Sequence, residues 1–145
     1  METRMTTTTT GQVPDGTFSI SKRFTFDAAH QLTSLGQDHA CARLHGHGYR
    51  VEAVLSCAED ELVPPGFVAD FKDLEPLARY IKDTLDHRNL NEVLDFEPTS
   101  ELIARHLARW FLTHFTPVVA DRLIQIRVSE TEKTWATYTL HGRTA

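Results

Sequence analysis

The sequence predicts an α+β domain: a four-stranded antiparallel sheet carrying two helices on one face, in the order ββααββ. Two observations carry this expectation. Apolar residues alternate with period two near both ends of the chain, and they recur at three- and four-residue steps in the middle. Phe18, Ile20, Phe24, Phe26 and Ala28 form the first alternation, interrupted only by Lys22, which places His30 next in the same register at a strand end. Residues 33 to 44 hold no sustained period and read as a loop bearing Cys41. His45, His47, Tyr49, Val51, Ala53 and Leu55 then share one face of a second strand, so two imidazoles point the same way.

Phe71, Leu74, Leu77, Ala78, Ile81 and Leu85 follow helical spacing. Pro76 fits only a first turn, which favours Asp73 over Asp70 as the start of that helix. Asp86, His87 and Arg88 fall at its C-terminal end. Pro98-Thr99-Ser100-Glu101 marks the start of a second helix, because a hydroxyl accepts from free backbone N–H groups and Glu favours the positive end of the helix dipole. Leu102, Ile103, Leu107, Trp110 and Phe111 are its buried stripe. Period two returns over 122 to 130, with Ile124, Ile126, Val128 and Glu130 on one face, and a last strand over 134 to 141 completes the order.

A length of 145 residues supports one domain, expected over 17 to 145 after a Thr-rich disordered leader over 1 to 16. The composition, 41% hydrophobic and 24% charged, is that of a globular chain. With no apolar run of bilayer length and no secretory signal pattern, no membrane association and a cytoplasmic location are expected. A formal net charge of −5 argues against nucleic-acid binding through a broad basic face. Two cysteines in such a chain are expected to remain thiols.

His45-Gly46-His47 offers two imidazoles two residues apart, and His30 supplies a third if the first two strands pair as a hairpin. That set suits zinc with one position left open. Cross-strand histidines without an ion fit the same spacing. Cys41 reads three ways: a thiol activated by a nearby cation, a fourth metal ligand, or a small buried hydrophobe. In Asp86-His87 a carboxylate can fix an imidazole tautomer, while a solvated helix end is the alternative. Glu130 ends an apolar face. Its two oxygens match the paired N–H donors of a pterin or guanine, unless it pairs with Arg127 or Lys133 at the surface.

Taken together, FDAAHQL (26 to 32), CARLHGHGYRVE (41 to 52), FVADFKDL (67 to 74), LDHRNLN (85 to 91), PTSE (98 to 101) and VSETEKTWATY (128 to 138) resemble the 6-pyruvoyl-tetrahydropterin synthase superfamily. The likeness is to its bacterial 6-carboxy-tetrahydropterin synthase branch, and it spans about Phe18 to Tyr138. The resemblance implies a tunnelling-fold (T-fold) domain. It further implies zinc on His30, His45 and His47, a catalytic thiol at Cys41, Asp86 and His87 assisting it, and Glu130 anchoring the pterin. It implies a homo-oligomer, a hexamer built as a dimer of trimers, in which Asp86 and His87 reach a neighbouring subunit's site. The C-x3-H-G-H spacing matches the carboxy-forming branch, and Cys41 argues against a folate-linked branch with Glu at that position. The implied substrate is 7,8-dihydroneopterin triphosphate; its anionic tail needs cationic company, for which Lys22, Arg23, Arg43 and Lys133 are candidates. The implied products are 6-carboxy-5,6,7,8-tetrahydropterin, acetaldehyde and triphosphate, in 7-deazapurine and queuosine biosynthesis. The rival readings are a pyruvoyl-forming synthase and a zinc-stabilised pterin-binding protein without turnover.

Overall fold

The structure, a computed structural model, describes residues 13–143. The expected leader falls largely on residues 1–12, outside the described ones, and Val13 to Gly16 precede the first strand without regular structure. Strands β1 (Thr17–His30) and β2 (His45–Ala58) pair antiparallel from Thr17 opposite Ala58 to His30 opposite His45. The hairpin required to bring the three histidines together is therefore present. Its in-facing row follows the prediction from Phe24 onward, with Phe24, Phe26, Ala28 and His30 on β1 and Tyr49, Val51, Ala53 and Leu55 on β2 all buried, whereas Ile20 is half-buried and Phe18, at the open end of the hairpin, is exposed.

The sheet has five strands rather than four. β3 (Arg88–Asn89) runs parallel to β1 at Ala28 and Ala29, β4 (Leu123–Thr131) pairs antiparallel with β2, and β5 (Thr134–Thr139) pairs with β4 at the opposite edge. Two residues in a motif carry no alternation, which is why β3 has no period-two signature. β4 also departs from the predicted face. Leu55 pairs with Leu123 whereas Val54 pairs with Gln125, so Ile124 is the extra residue of a bulge; Leu123 is buried in its place and Ile124 is only half-buried.

The first helix is composite. A 3₁₀ turn over Phe71–Leu74 leads into α1 (Glu75–Tyr80), which widens into a π turn over Ile81–Leu85. The expected start at Asp73 gives way to Asp70, whose side chain accepts from the Lys72 N–H at 3.0 Å, while Pro76 occupies the first turn of α1. Leu74, Leu77, Ile81 and Leu85 are buried as their spacing requires, but Phe71 is 52% exposed. The one-turn helix α2 (Leu90–Val93) follows, then α3 (Ser100–His114), then the one-turn α4 (Pro117–Ala120). Thr99 caps α3, accepting from the Leu102 N–H at 3.2 Å.

Ile103, Leu107 and Phe111 of α3 have no exposed surface and join the sheet residues and the composite helix in one core. Each such side chain contributes about 1.5–3 kcal/mol through burial. The other sheet face is polar: Arg23 and Arg127 both pair with Glu52, and both guanidiniums lie over the Trp135 ring. No helix among the described residues is long and apolar enough to cross a membrane.

Candidate functional site

β1 and β2 end together, so His30, His45 and His47 meet at the end of the hairpin; each offers a ring nitrogen within 4.8 Å of the other two. Backbone carbonyls orient two of the rings. His30 Nδ1 lies 2.7 Å from Pro98 O, and His45 Nδ1 lies 2.6 Å from Arg43 O. A carbonyl oxygen only accepts, so in each neutral ring Nδ1 carries the proton and Nε2 presents a lone pair. Those two Nε2 atoms face each other at 3.1 Å. Lone pairs at that separation repel unless a cation or a proton stands between them. His47 Nε2 is buried without a hydrogen-bond partner, and burial, the largest influence, holds this imidazole below its ordinary range, with Glu130 opposing the shift. The donor set therefore fits a tetrahedral metal that keeps one position open.

Glu130 reaches the same place. Its Oε2 lies 3.6 Å from His47 Nε2 and its Oε1 lies 3.8 Å from His30 Nε2, while Arg127, one of the two alternative surface partners, pairs with Glu52 instead. A shift of register between Val128 and Thr131 occurs where Glu130 leaves the β4 ladder. Tyr49 underlies the histidines, with ring centroids 5.9 Å from His30 and 5.5 Å from His47. Burial, reinforced by Glu130, pushes its hydroxyl far above the ordinary phenol range. Beside Glu130 opens a cleft of about 260 Å³, bounded by Leu32, the Thr99–Glu101 start of α3 and Trp135. A larger cleft of about 450 Å³ opens at the other end of β2, around Cys57 and Arg122. It holds none of the histidines.

Cys41 sits in a short 3₁₀ turn, half-buried, with its carbonyl accepting from the Leu32 N–H at 2.8 Å. Its thiol is outside the set of mutually close ligand atoms, which does not fit a closed four-ligand site. Cys57 is a buried free thiol in the core.

Asp86 and His87 form a separate group with Asp27. Asp86 Oδ1 accepts from the Asp27 N–H at 3.0 Å, and Asp86 Oδ2 lies 3.0 Å from His87 Nδ1. The Asp27 N–H, followed by the His87 ring, holds the Asp86 carboxyl below the usual range. The π turn ends here, and His87 takes a left-handed backbone with φ 58°. Its side chain is 78% exposed and lies outside the cluster of His30, His45 and His47. The chain thus brings together His30, His45, His47 and Glu130, and holds Asp86-His87 apart. Of the four cations considered for an anionic tail, Lys22 donates to Phe71 O and Arg23 pairs with Glu52 on the polar face. The carbonyls of Pro98 and Arg43 escaped sequence reasoning because a backbone acceptor carries no side-chain signature.

The sequence matches 6-pyruvoyl tetrahydropterin synthase as a family over residues 19–141. It is 37% identical over 125 residues to a 6-carboxy-5,6,7,8-tetrahydropterin synthase of Synechocystis, covering 82% of this chain and 91% of that one. It is 39% identical over 85 residues to a dihydroneopterin monophosphate aldolase of Pyrococcus furiosus, covering 59% and 67%. In three dimensions it aligns with the 6-pyruvoyl tetrahydropterin synthase of Caenorhabditis elegans at a TM-score of 0.74 and 24% identity, covering 89% and 99%. The sheet, the helices on one face and the family match agree: this chain belongs to the 6-pyruvoyl tetrahydropterin synthase family and has its tunnelling fold.

Proposed function

We propose that the chain is a zinc-dependent carbon–carbon lyase. With water, it converts 7,8-dihydroneopterin triphosphate to 6-carboxy-5,6,7,8-tetrahydropterin, releasing acetaldehyde and triphosphate, as a step toward queuosine or another 7-deazapurine. The observation that carries this reading is the convergence of three imidazoles, two of them oriented by backbone carbonyls, beside the Glu130 carboxylate, with the Cys41 loop adjoining them. It is supported by the Synechocystis relative, which aligns over most of both chains.

His30, His45 and His47 would hold the zinc, which when bound supplies Lewis acidity toward the substrate side chain. Glu130 accepts from the ring N–H and the exocyclic amine of the pterin, a two-point match that fixes the ring in the cleft. Cys41 removes a side-chain proton. Asp86 accepts from His87 Nδ1–H, leaving Nε2 to take up and return protons. Because Asp86 and His87 lie apart from the histidines of their own chain, they serve the site of a neighbouring copy in a homo-oligomer, a hexamer formed as a dimer of trimers in the cytoplasm.

The test is incubation of zinc-loaded protein with 7,8-dihydroneopterin triphosphate, followed by mass spectrometry of the pterin and an acetaldehyde assay. Formation of 6-carboxytetrahydropterin is expected. A pyruvoyl product without acetaldehyde would replace C–C cleavage by elimination alone, and an unconsumed substrate would overturn the reading. The aldolase name of the Pyrococcus relative calls for a parallel incubation with the monophosphate. Preference for it would reassign the substrate.

A further inference from the structure

The loop that carries Cys41 has almost nothing apolar to hold it. Every residue from Thr33 to Ala40 is exposed, so burial supplies little of its order, and hydrogen bonds must fix its path. Some are turn bonds within the loop, from Leu35 N–H to Leu32 O, from His39 N–H to Gly36 O and from Cys41 N–H to His39 Nδ1, while the bonds from Thr33 and Ser34 to the rest of the fold converge on one carboxylate. Glu97 accepts from the Ser34 N–H at 2.7 Å, from the Thr33 hydroxyl at 3.3 Å, and from the Ser34 hydroxyl at short range. Bonds to an ionised acceptor are the stronger class. Just before this clamp, Leu32 N–H donates to Cys41 O at 2.8 Å, and Asn91 holds Gln31 from both sides, accepting from its N–H and donating to its carbonyl. Just after Glu97, Pro98 supplies the carbonyl that orients His30. One short segment ahead of α3 thus secures a metal-type imidazole through its backbone and the thiol-bearing loop through a side chain.

We infer that Glu97 is a positioning residue for the Cys41 thiol, acting by clamping Thr33 and Ser34 so that the Leu32–Cys41 backbone bond fixes the turn that carries the thiol. This rests on the proposed role of Cys41. The Glu97 carboxylate touches none of the groups expected to meet substrate, so its effect passes through the loop.

The experiment uses the full chain loaded with zinc and compares Glu97→Ala, Glu97→Gln and Ser34→Ala with wild type. Amide hydrogen exchange over residues 32 to 43 is expected to accelerate about tenfold in E97A, the factor for losing one net hydrogen bond, with residues 51 to 58 unchanged. Iodoacetamide should modify Cys41 faster while Cys57 stays protected. Turnover of 7,8-dihydroneopterin triphosphate should show a fall in kcat with KM and zinc content unchanged. E97Q should be intermediate, since its amide oxygen still accepts from the Ser34 N–H. Unchanged exchange in E97A overturns the inference, as does a loosened loop with wild-type kcat. If wild type itself leaves the substrate unconsumed, the proposed reaction fails while exchange and alkylation still decide the clamp: a loosened loop with unaltered Cys41 modification would overturn it. If E97A does not fold, E97Q and S34A give the same comparison, and wild-type behaviour in both overturns it.

Discussion

Replacing Glu130 with Gln separates a pterin anchor from a metal ligand. The carboxylate lies 3.6 and 3.8 Å from His47 and His30 Nε2, yet it is not one of the three mutually close ligand groups. Gln keeps the shape, loses the charge, and presents an NH2 where the pterin offers another donor. Hydrogen bonds to charged groups contribute about 1.5–3 kcal/mol. Glu130 keeps 28% of its side-chain surface in solvent, so the lower part of that range applies. A loss of about 1.5–2 kcal/mol corresponds to a 10- to 30-fold weaker affinity at about 1.4 kcal/mol per tenfold. Calorimetric titration of zinc-loaded wild type and E130Q with 7,8-dihydroneopterin, alongside zinc analysis of both, reads the two quantities. The expected outcome is weakened binding with zinc content unchanged. Equal affinity would refute the anchor, and loss of zinc would make Glu130 a ligand.

Three further outcomes follow from the Asp86-His87 group and the core. His87 has φ 58°, where a Cβ is strained and glycine is not, so H87G should be more stable than H87A by about 1 kcal/mol in urea unfolding while both lose activity. Equal stability would contradict the strain. Asp86, depressed first by the Asp27 N–H and then by His87, stabilises the fold above its unfolded-state value, and that contribution is lost as pH falls through the lower folded-state value. The melting temperature of wild type should therefore fall more steeply than that of D86N on acidification from about pH 5 to about pH 3, and parallel curves would contradict this. Leu107→Ala, at a site with no exposed surface, should cost about 2–5 kcal/mol in urea unfolding, and a loss well below 1 kcal/mol would place α3 wrongly.

Strand periodicity made the metal-type site legible: alternation alone put His30 at the end of β1 and His45 with His47 on one face of β2, and the hairpin joined them. Glu130 was legible as a carboxylate ending an apolar row. Ile124 was not, because a bulge shifts the inward face by one residue and leaves no mark in composition. Asp70 and Asp73 are both good caps, so cap chemistry does not separate them as starts of the first helix, and the 3₁₀ turn between them makes Asp70 the cap. The separation of Asp86-His87 from the histidines depends on a π turn and a left-handed residue, neither of which has a sequence period. Glu97 was invisible for a similar reason, as its partners lie more than sixty positions away in a loop without pattern.

Acetaldehyde release from 7,8-dihydroneopterin triphosphate, measured for zinc-loaded wild type and zinc-loaded Cys41→Ala, tests the central claim most directly. An open three-histidine site with an independent thiol predicts one acetaldehyde per 6-carboxytetrahydropterin from wild type, and none from a C41A variant that retains its zinc. Release by C41A at the wild-type rate, or loss of its zinc, would contradict that claim.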